Sequence, residues 1–290
     1  MEKHRIIDIL KAFSIILVVF YHAVMCSPIP WESFPWMEAM VTLKCIHVPL
    51  FILIAGYLCH KQPVGQFFLK KVSRILVPFA FMTCLKLIFS LFVSDEYSHG
   101  DSLGTKFYEA FIKGDLFWFC YCILIIFLLA PLIWNSRLRM WLALGIFTAA
   151  DVVIAVTGVQ ITGIFQIAQV IYHMPFFAVG MLLAEYGFFA RIRTPGKLIA
   201  GSAAALAVGA VCIYLRFVLY IYWLYLPEAL IGLSGMFILY VISVLAEKSG
   251  RVKPGGMVDF CQRFPDAQPL IIGSRNTSVE AFLMGEVPLF

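Results

Sequence analysis

The first apolar segment of the chain carries three ionisable residues that could do chemistry: Asp8, Lys11 and His22. In a helix, Lys11 and His22 would differ by only ~20° around the axis and by ~16 Å along it. Asp8 falls within roughly 60° of Lys11 on the same side. Ionisable groups inside membrane helices are costly and usually face a polar cavity. We therefore expect one polar face, on which His22 is a candidate proton acceptor because imidazole exchanges protons near neutral pH.

The same three residues have a plainer interpretation. Lys11 would extend its ammonium group to the membrane interface, and His22 would be a hydrogen-bonded packing residue. The spacing alone does not decide between the two.

A second group of candidates is basic. Lys70, Lys71 and Arg74 precede the third apolar segment. They either attract anionic lipid as ordinary loop charges or hold phosphate groups of a cytoplasmic ligand. His47 and His173 each lie two residues before a proline; we expect a lone helical histidine to be a packing residue more often than a catalyst.

The elements that would position these residues follow from the composition. Charged residues make up 13% of the 290 residues and hydrophobic ones 62%, and the mean hydropathy is +0.91. A soluble domain carries about 25% charged residues. Lipid is the natural solvent for such a chain, so its net charge of +5 indicates loop charge rather than nucleic-acid binding. The cysteines lack metal-type spacing, and we predict no metal site.

We predict an all-α fold, a polytopic bundle of about eight transmembrane helices. The last apolar segment is too long for one span of about 20 residues. We expect it to begin with an aromatic stretch at 216–226 and to form a helix from about Ala229. The predicted segments run roughly over 6–25, 43–59, 75–93, 116–134, 140–157, 164–187, 198–215 and 217–246.

Lys and Arg collect in alternate connections, beginning with the amino-terminal residues, whereas the connection 94–115 is acidic. Cytoplasmic loops carry such an excess of basic residues. The pattern predicts an integral membrane protein whose amino terminus faces the cytoplasm.

Several of these residues together resemble the membrane acyltransferase 3 family. Lys11 followed by His22 resembles its Arg/Lys-x10-His motif. The run from His47 to Tyr57 resembles its second-helix signature, which ends in Ser-Gly-Phe/Tyr, with Ala55 where serine is common.

Segment 68–78 is similar to the basic Arg-x-x-Arg loop of the family, with Lys71 in place of the first arginine. Segments 116–119 and 176–180 resemble less specific family patterns. The resemblance extends over residues 5–187. Within the family, the chain is most similar to the sugar O-acetylase branch, which includes fucose 4-O-acetylases.

The resemblance implies an enzyme of about ten spans in the bacterial plasma membrane. Such an enzyme moves an acyl group, usually acetyl from cytoplasmic acetyl-CoA, to a hydroxyl of an extracytoplasmic or lipid-linked glycan. Its partners would be acyl-CoA, the glycan or lipid-linked sugar acceptor and membrane lipids. Residues 1–253 would form the membrane-embedded acyltransferase-like domain. Residues 254–290 depart from the family pattern, and we interpret them as an atypical, truncated or altered end of the same domain.

In this reading His22 and Lys11 are the catalytic residues. His22 would act as the base for the acceptor hydroxyl, although a covalent acyl-histidine remains an alternative. Lys11 would hold or shield donor phosphates, and Lys71 and Arg74 would bind the CoA phosphates. A rival function is a transporter or flippase for a small polar or lipid-linked solute, with the polar face lining its path.

Overall fold

The described part of the chain is all-α. A computed structural model describes residues 2–27, 36–92, 103–113, 117–159, 161, 163–219 and 225–249. A π-helix, Tyr108–Lys113, follows the fourth α-helix, and a 3₁₀ turn, Ile164–Gln166, precedes the seventh. The α-helices are α1 Glu2–Met25, α2 Trp36–Tyr57, α3 Val64–Phe92, α4 Leu103–Phe107, α5 Trp118–Ile133, α6 Arg137–Thr157, α7 Ile167–Glu185, α8 Phe188–Arg191, α9 Pro195–Phe217 and α10 Tyr225–Lys248.

Long helices lie at all eight predicted positions, and three of them begin earlier than predicted. α2 begins at Trp36 rather than near position 43. α3 begins at Val64, so the basic residues before position 75 are helical and not a loop. α10 begins at Tyr225 rather than near Ala229, with Pro227 in its first turn. Proline is tolerated there because the first N–H groups of a helix have no partner within it.

The predicted count of eight spans is not confirmed. Six helices in the described part are long and apolar enough to cross a membrane. A further bent pair, Gly104–Lys113 with Trp118–Ile133, makes an angle of 44° and would raise the number to seven. The six are Ile6–Met25, Trp36–Tyr57, Arg137–Thr157, Ile164–Glu185, Pro195–Phe217 and Leu226–Lys248.

The centre of the bundle is the pair α2 and α7, which share the largest interface. Two glycines allow their backbones to touch. A Cβ atom on Gly56 would lie 2.1 Å from the Phe177 carbonyl oxygen, and one on Gly180 would lie 2.0 Å from the Leu53 carbonyl oxygen. Small residues at such contacts are characteristic of tightly packed membrane helices. Tyr57, at the end of α2, packs on Phe189, just after the end of α7, with 4.9 Å between ring centroids, and the earlier residues His47 and His173 interact with each other. The two helices therefore run parallel.

Other helices surround this pair. α1 packs on α2, α6 packs on α7, and α5 contacts both α3 and α7. On α10, a Cβ atom at Gly232 would approach the Cys45 carbonyl oxygen to 2.4 Å, so α10 lies directly against α2. α2 is therefore held from three sides, by α1, α7 and α10.

Two ends of the bundle can be named from these contacts. The histidine end is where α1 finishes at Met25 and where α2 and α7 begin. The basic end is where α2 and α7 finish and where α3 begins, and it carries Lys71 and Arg74. An ion pair of 2.8 Å between Arg137 and Glu185 joins the start of α6 to the end of α7 there.

The contacts group the chain into two units, Met1–Ser243 and Val244–Phe290. Of the second unit, the description covers the last turns of α10 as far as Ser249. The predicted tail at 254–290 lies outside the described residues.

Candidate functional site

His22 lies in the last turn of α1, at the histidine end. Its Nδ1 is 2.8 Å from the carbonyl oxygen of Val18, one turn earlier in the same helix. A carbonyl oxygen can only accept a hydrogen bond, so this contact places the ring proton on Nδ1. The Nε2 atom of the neutral ring then keeps its lone pair, and the side chain is exposed. The backbone thus supplies the orienting partner that the sequence could not identify.

Tyr21 connects His22 to the centre of the bundle. Its ring meets the His22 ring edge-on, with 5.5 Å between centroids, and stacks on the His47 ring at 5.0 Å with an interplanar angle of 30°. His47 on α2 is only 3% exposed. Its Nδ1 lies 2.7 Å from the Leu43 carbonyl oxygen, which fixes the same tautomer as in His22.

His173 on α7 repeats this arrangement. It is 3% exposed, and its Nδ1 lies 2.7 Å from the Gln169 carbonyl oxygen. Trp118 and Tyr172 pack on its ring, with centroids at 5.5 and 4.8 Å. Parallel packing of α2 and α7 brings His173 and His47 close enough for electrostatic interaction. We call His22, His47 and His173 the histidine layer: each has Nδ1 on a backbone carbonyl and Nε2 available.

Lys11 is not brought to the histidine layer. Its ammonium group pairs with Asp8 at 3.2 Å, and the two side chains are 41% and 68% exposed. The pair lies about three helical turns from His22, ~16 Å along the axis. The predicted polar face of α1 therefore exists at both of its ends, but it lies on an exposed flank of the helix. Direct cooperation of Lys11 with His22 would need a ligand that spans this distance.

Lys71 and Arg74 lie one turn apart on α3, at the basic end, with different surroundings. The Lys71 ammonium lies 3.9 Å from the centre of the Phe127 ring and 5.6 Å from that of Phe67. Cation–π contact of this kind is favourable within about 6 Å. Arg74 is exposed and makes no ion pair with any residue that the structure describes. Arg74 therefore presents its charge outward, whereas Lys71 points between α3 and α5.

The thiol of Cys59 lies close enough to Lys71 for an electrostatic interaction. Burial raises the pKa of Cys59 to about 11, and the Lys71 ammonium only partly opposes this. A thiol with such a pKa is protonated at neutral pH, and the thiolate is the reactive form. Cys59 is accordingly unsuited to carry an acyl group.

Sequence reasoning ranks His47 and His173 below His22, whereas the structure groups the three, and it does not indicate Tyr21 at all. A signal was present: the pattern His-x-Pro occurs twice, at His47 and His173, and each time a glycine follows within three turns. Among the described residues, no group of three or more His, Cys, Asp or Glu side chains is placed to hold a metal ion.

The comparison with protein families gives the class. Residues 4–264 match the acyltransferase 3 family model, whose description is an acyltransferase domain. This chain belongs to that family and is a membrane acyltransferase by its family and its apolar helices. No curated protein and no solved structure matches it.

Proposed function

We propose that the protein moves an acetyl group from acetyl-CoA to a hydroxyl of an extracytoplasmic or lipid-linked saccharide, with His22 as the general base. The observation that carries the proposal is the hydrogen bond between His22 Nδ1 and the Val18 carbonyl oxygen. It leaves Nε2 as a proton acceptor without any change of tautomer. A general base contributes about 10²–10⁴-fold to the rate of such a transfer.

The reaction balances with this one base. Nε2 of His22 takes the proton of the acceptor hydroxyl while the hydroxyl oxygen bonds to the thioester carbon. The bond from that carbon to the CoA sulfur then breaks. The departing thiolate receives the proton from the imidazolium, which restores the neutral ring. In the alternative through an acyl-histidine, Nε2 bonds to the acyl carbon, the carbon–sulfur bond breaks and the CoA thiolate leaves. The acceptor hydroxyl oxygen then bonds to the acyl carbon, the carbon–nitrogen bond breaks, and the hydroxyl proton passes to the released thiolate.

The donor would be held at the basic end. Exposed Arg74 fits a phosphate of CoA, because a guanidinium group binds phosphate through two hydrogen bonds. Lys71 would add positive charge from its position against Phe127. Lys11, already paired with Asp8, would shield phosphate charge as the donor extends along α1. These roles are supported by the family motif and by the position of the residues.

The orientation belongs to the same proposal. We infer that the amino terminus and the basic end face the cytoplasm of a bacterial cell, where acyl-CoA is found, and that the histidine end faces outward. The support is the excess of Lys and Arg in alternate connections. Reporter fusions after Arg139 should give a cytoplasmic signal, and fusions after Gly104 an external one. An external signal at Arg139 would reverse the proposed geometry.

The sugar O-acetylase branch, similar to fucose 4-O-acetylases, is our proposal for the acceptor class. Membranes that contain the protein should transfer label from radioactive acetyl-CoA to a saccharide, in an ester that mild alkali releases. Membranes without the protein are the control. Label found only as free acetate would contradict saccharide acylation. Movement of a solute across the membrane without acyl transfer would favour the transporter alternative.

A further inference from the structure

Two polar side chains on α6 face a recess that Tyr172 connects to the histidine layer. Thr148 and Asp151 are three residues apart, so they lie on one face of the helix. Both are half-buried, and both line a recess of about 40 Å³ between α6, α7 and α10. Asp151 stands fourteen residues after Arg137, about 21 Å from the basic end at the rise of a helix. The nearer end of α6, at Thr157, lies six residues further on, ~9 Å along the axis, so Asp151 is inside the helix rather than in its last turn.

Neither side chain is satisfied by the part of the protein that the structure describes. The Thr148 hydroxyl and the Asp151 carboxylate make no hydrogen bond or ion pair with any described residue. Thr157, on the same helix, shows the ordinary alternative, because its hydroxyl donates to the Val153 carbonyl oxygen at 2.7 Å. Intramembrane carboxylates are expensive and mark functional sites. Two unsatisfied groups facing one recess indicate a ligand with hydrogen-bonding groups.

The residues that line the recess indicate which class of ligand it could bind. Tyr172 lines the recess, and its ring also meets the ring of His173 of the histidine layer edge-on, with 4.8 Å between centroids. Pro175 also lines the recess, and it has no N–H group to donate to the Ile171 carbonyl one turn before. Aromatic surface beside hydrogen-bond acceptors is suited to a sugar ring, whose C–H face is apolar and whose edge is polar.

The negative charge of Asp151 excludes an anionic ligand from the recess. Glu228, on α10, acts electrostatically on Asp151. Its own partner is Arg216, at 2.7 Å, and both members of that pair are largely buried. The arginine is thus already neutralised by Glu228, and the recess is left with the uncompensated carboxylate of Asp151. A neutral ligand rich in hydroxyl groups meets these requirements.

We propose that the recess of Thr148, Asp151 and Tyr172 binds the hydroxyl-bearing edge of a sugar, as the acceptor subsite of the transfer reaction; its role as acceptor site rests on the proposed function. The volume admits a water molecule or two, or the hydroxyls of one ring edge, and excludes a whole ring. The rest of the sugar would lie outside the recess, on the side of Tyr172 that leads to His173.

The test is direct binding, measured without catalysis. Thermal unfolding of the full chain in detergent is followed with increasing methyl fucoside, methyl galactoside or methyl glucoside. Cyclohexanol, a ring with one hydroxyl, is the matched compound. At least one glycoside should raise the Tm of the wild type, whereas cyclohexanol should not. Asp151→Ala should weaken the apparent affinity by at least about tenfold, the cost of losing a hydrogen bond to a charged group.

Matched variants separate binding from folding. Asp151→Asn keeps the shape of the side chain and should weaken binding less than Asp151→Ala. Thr148→Val should weaken it by a few fold, whereas Thr157→Val, which removes a hydroxyl already bonded to its own helix, should leave it unchanged. The proposal is overturned if no glycoside stabilises the wild type. It is also overturned if the Asp151→Ala and Thr148→Val variants both bind the glycoside as tightly as the wild type does.

Two further results are informative. Sodium chloride could raise the Tm more than choline chloride does, in a way that depends on Asp151, while no glycoside raises it. That result would overturn the sugar subsite in favour of a cation site. Glycoside binding that depends on Asp151 in a protein that transfers no acetyl group would support the sugar subsite and would contradict the proposed reaction.

Discussion

The two ends of the bundle treat their ionisable side chains in opposite ways. At the basic end, Lys11 has the Asp8 carboxylate and Lys71 has the faces of Phe67 and Phe127. At the histidine end, the hydrogen-bond partners of His22, His47 and His173 among the described residues are backbone carbonyls, each through Nδ1. The first arrangement pairs positive charges with a carboxylate or with aromatic rings. The second leaves the Nε2 atom of each histidine able to accept a proton. Under the proposed function, the basic end would bind the donor and the histidine end would carry the proton transfer.

The largest effect that we expect comes from His22. His22→Gln should lower acetyl transfer by about 10²–10⁴-fold, because glutamine keeps a hydrogen-bonding side chain but cannot act as a base at neutral pH. Donor binding should remain near normal, since His22 lies far from Lys71 and Arg74. Initial rates with labelled acetyl-CoA, on variants of equal expression, measure this.

The other members of the histidine layer are the controls for that experiment. His173→Gln should lower activity less than His22→Gln while lowering the Tm more, because His173 is 3% exposed and packs on Trp118 and Tyr172. The rate expected for His47→Gln lies between the two. Transfer by His22→Gln above about a third of the wild-type rate would end the assignment of His22 as the base.

The next largest effect concerns the backbone contact between α2 and α7 at Gly56 and Gly180. Gly180→Ala should destabilise the protein by about 1–3 kcal/mol, the usual cost of overpacking, because the new Cβ would meet the α2 backbone. Thermal unfolding in detergent measures it. Gly145→Ala is the control: no atom lies within 4 Å of its Cβ position, and alanine favours helix by up to about 1 kcal/mol. Equal behaviour of the two variants would show that the α2–α7 contact is looser than described.

A smaller effect should separate the two cations of α3. Changing Lys71 and Arg74 to alanine together should raise the KM for acetyl-CoA by roughly tenfold, the value of a charge-assisted hydrogen bond. Arg74→Gln alone should account for most of the change, since Lys71 faces rings. Arg139→Gln removes another exposed cation at the same end and should have little effect. Unchanged donor kinetics in the double variant would return the pair to ordinary loop charge.

The smallest effect belongs to the Asp8–Lys11 pair. Exposed ion pairs contribute between nothing and about 1 kcal/mol, so Asp8→Asn should leave the Tm and kcat within error. Lys11→Met should raise the KM for acetyl-CoA if Lys11 shields donor phosphates as proposed. A donor KM that rises equally in Asp8→Asn would show that the ion pair itself, and not the lysine charge, matters.

Hydropathy was sufficient to predict the helices, because a span must be long and apolar wherever it packs. It misplaced the starts of α2, α3 and α10, since charged residues and an early proline are compatible with a first helical turn that hydropathy does not detect. The family motif identified His22 from its spacing to Lys11. The partners of His22 could not be predicted, because a backbone carbonyl carries no sequence signal.

The neighbourhood of His47 and His173 depends on which helices lie side by side, and one sequence does not contain that information. The glycines at 56 and 180 put α2 against α7, and this contact turns two separate histidines into neighbours. From the sequence alone, Asp151 lies near the end of a predicted helix, where ordinary solvation would account for its charge. The recess beside Tyr172 became visible only with α7 and α10 in place.

Pro49 and Pro175 have a mechanical consequence. Each follows its histidine by two residues, and each removes one hydrogen bond from its helix, at Cys45 in α2 and at Ile171 in α7. Toward the basic end the two backbones touch at Gly56 and Gly180 and cannot slide past each other without atomic overlap. The α2–α7 pair is therefore stiff between the prolines and the basic end, and it bends more easily at the prolines and toward the histidine end. Any bending that an arriving acceptor requires will cost least at the level of the histidines, and it will leave the basic end undisturbed.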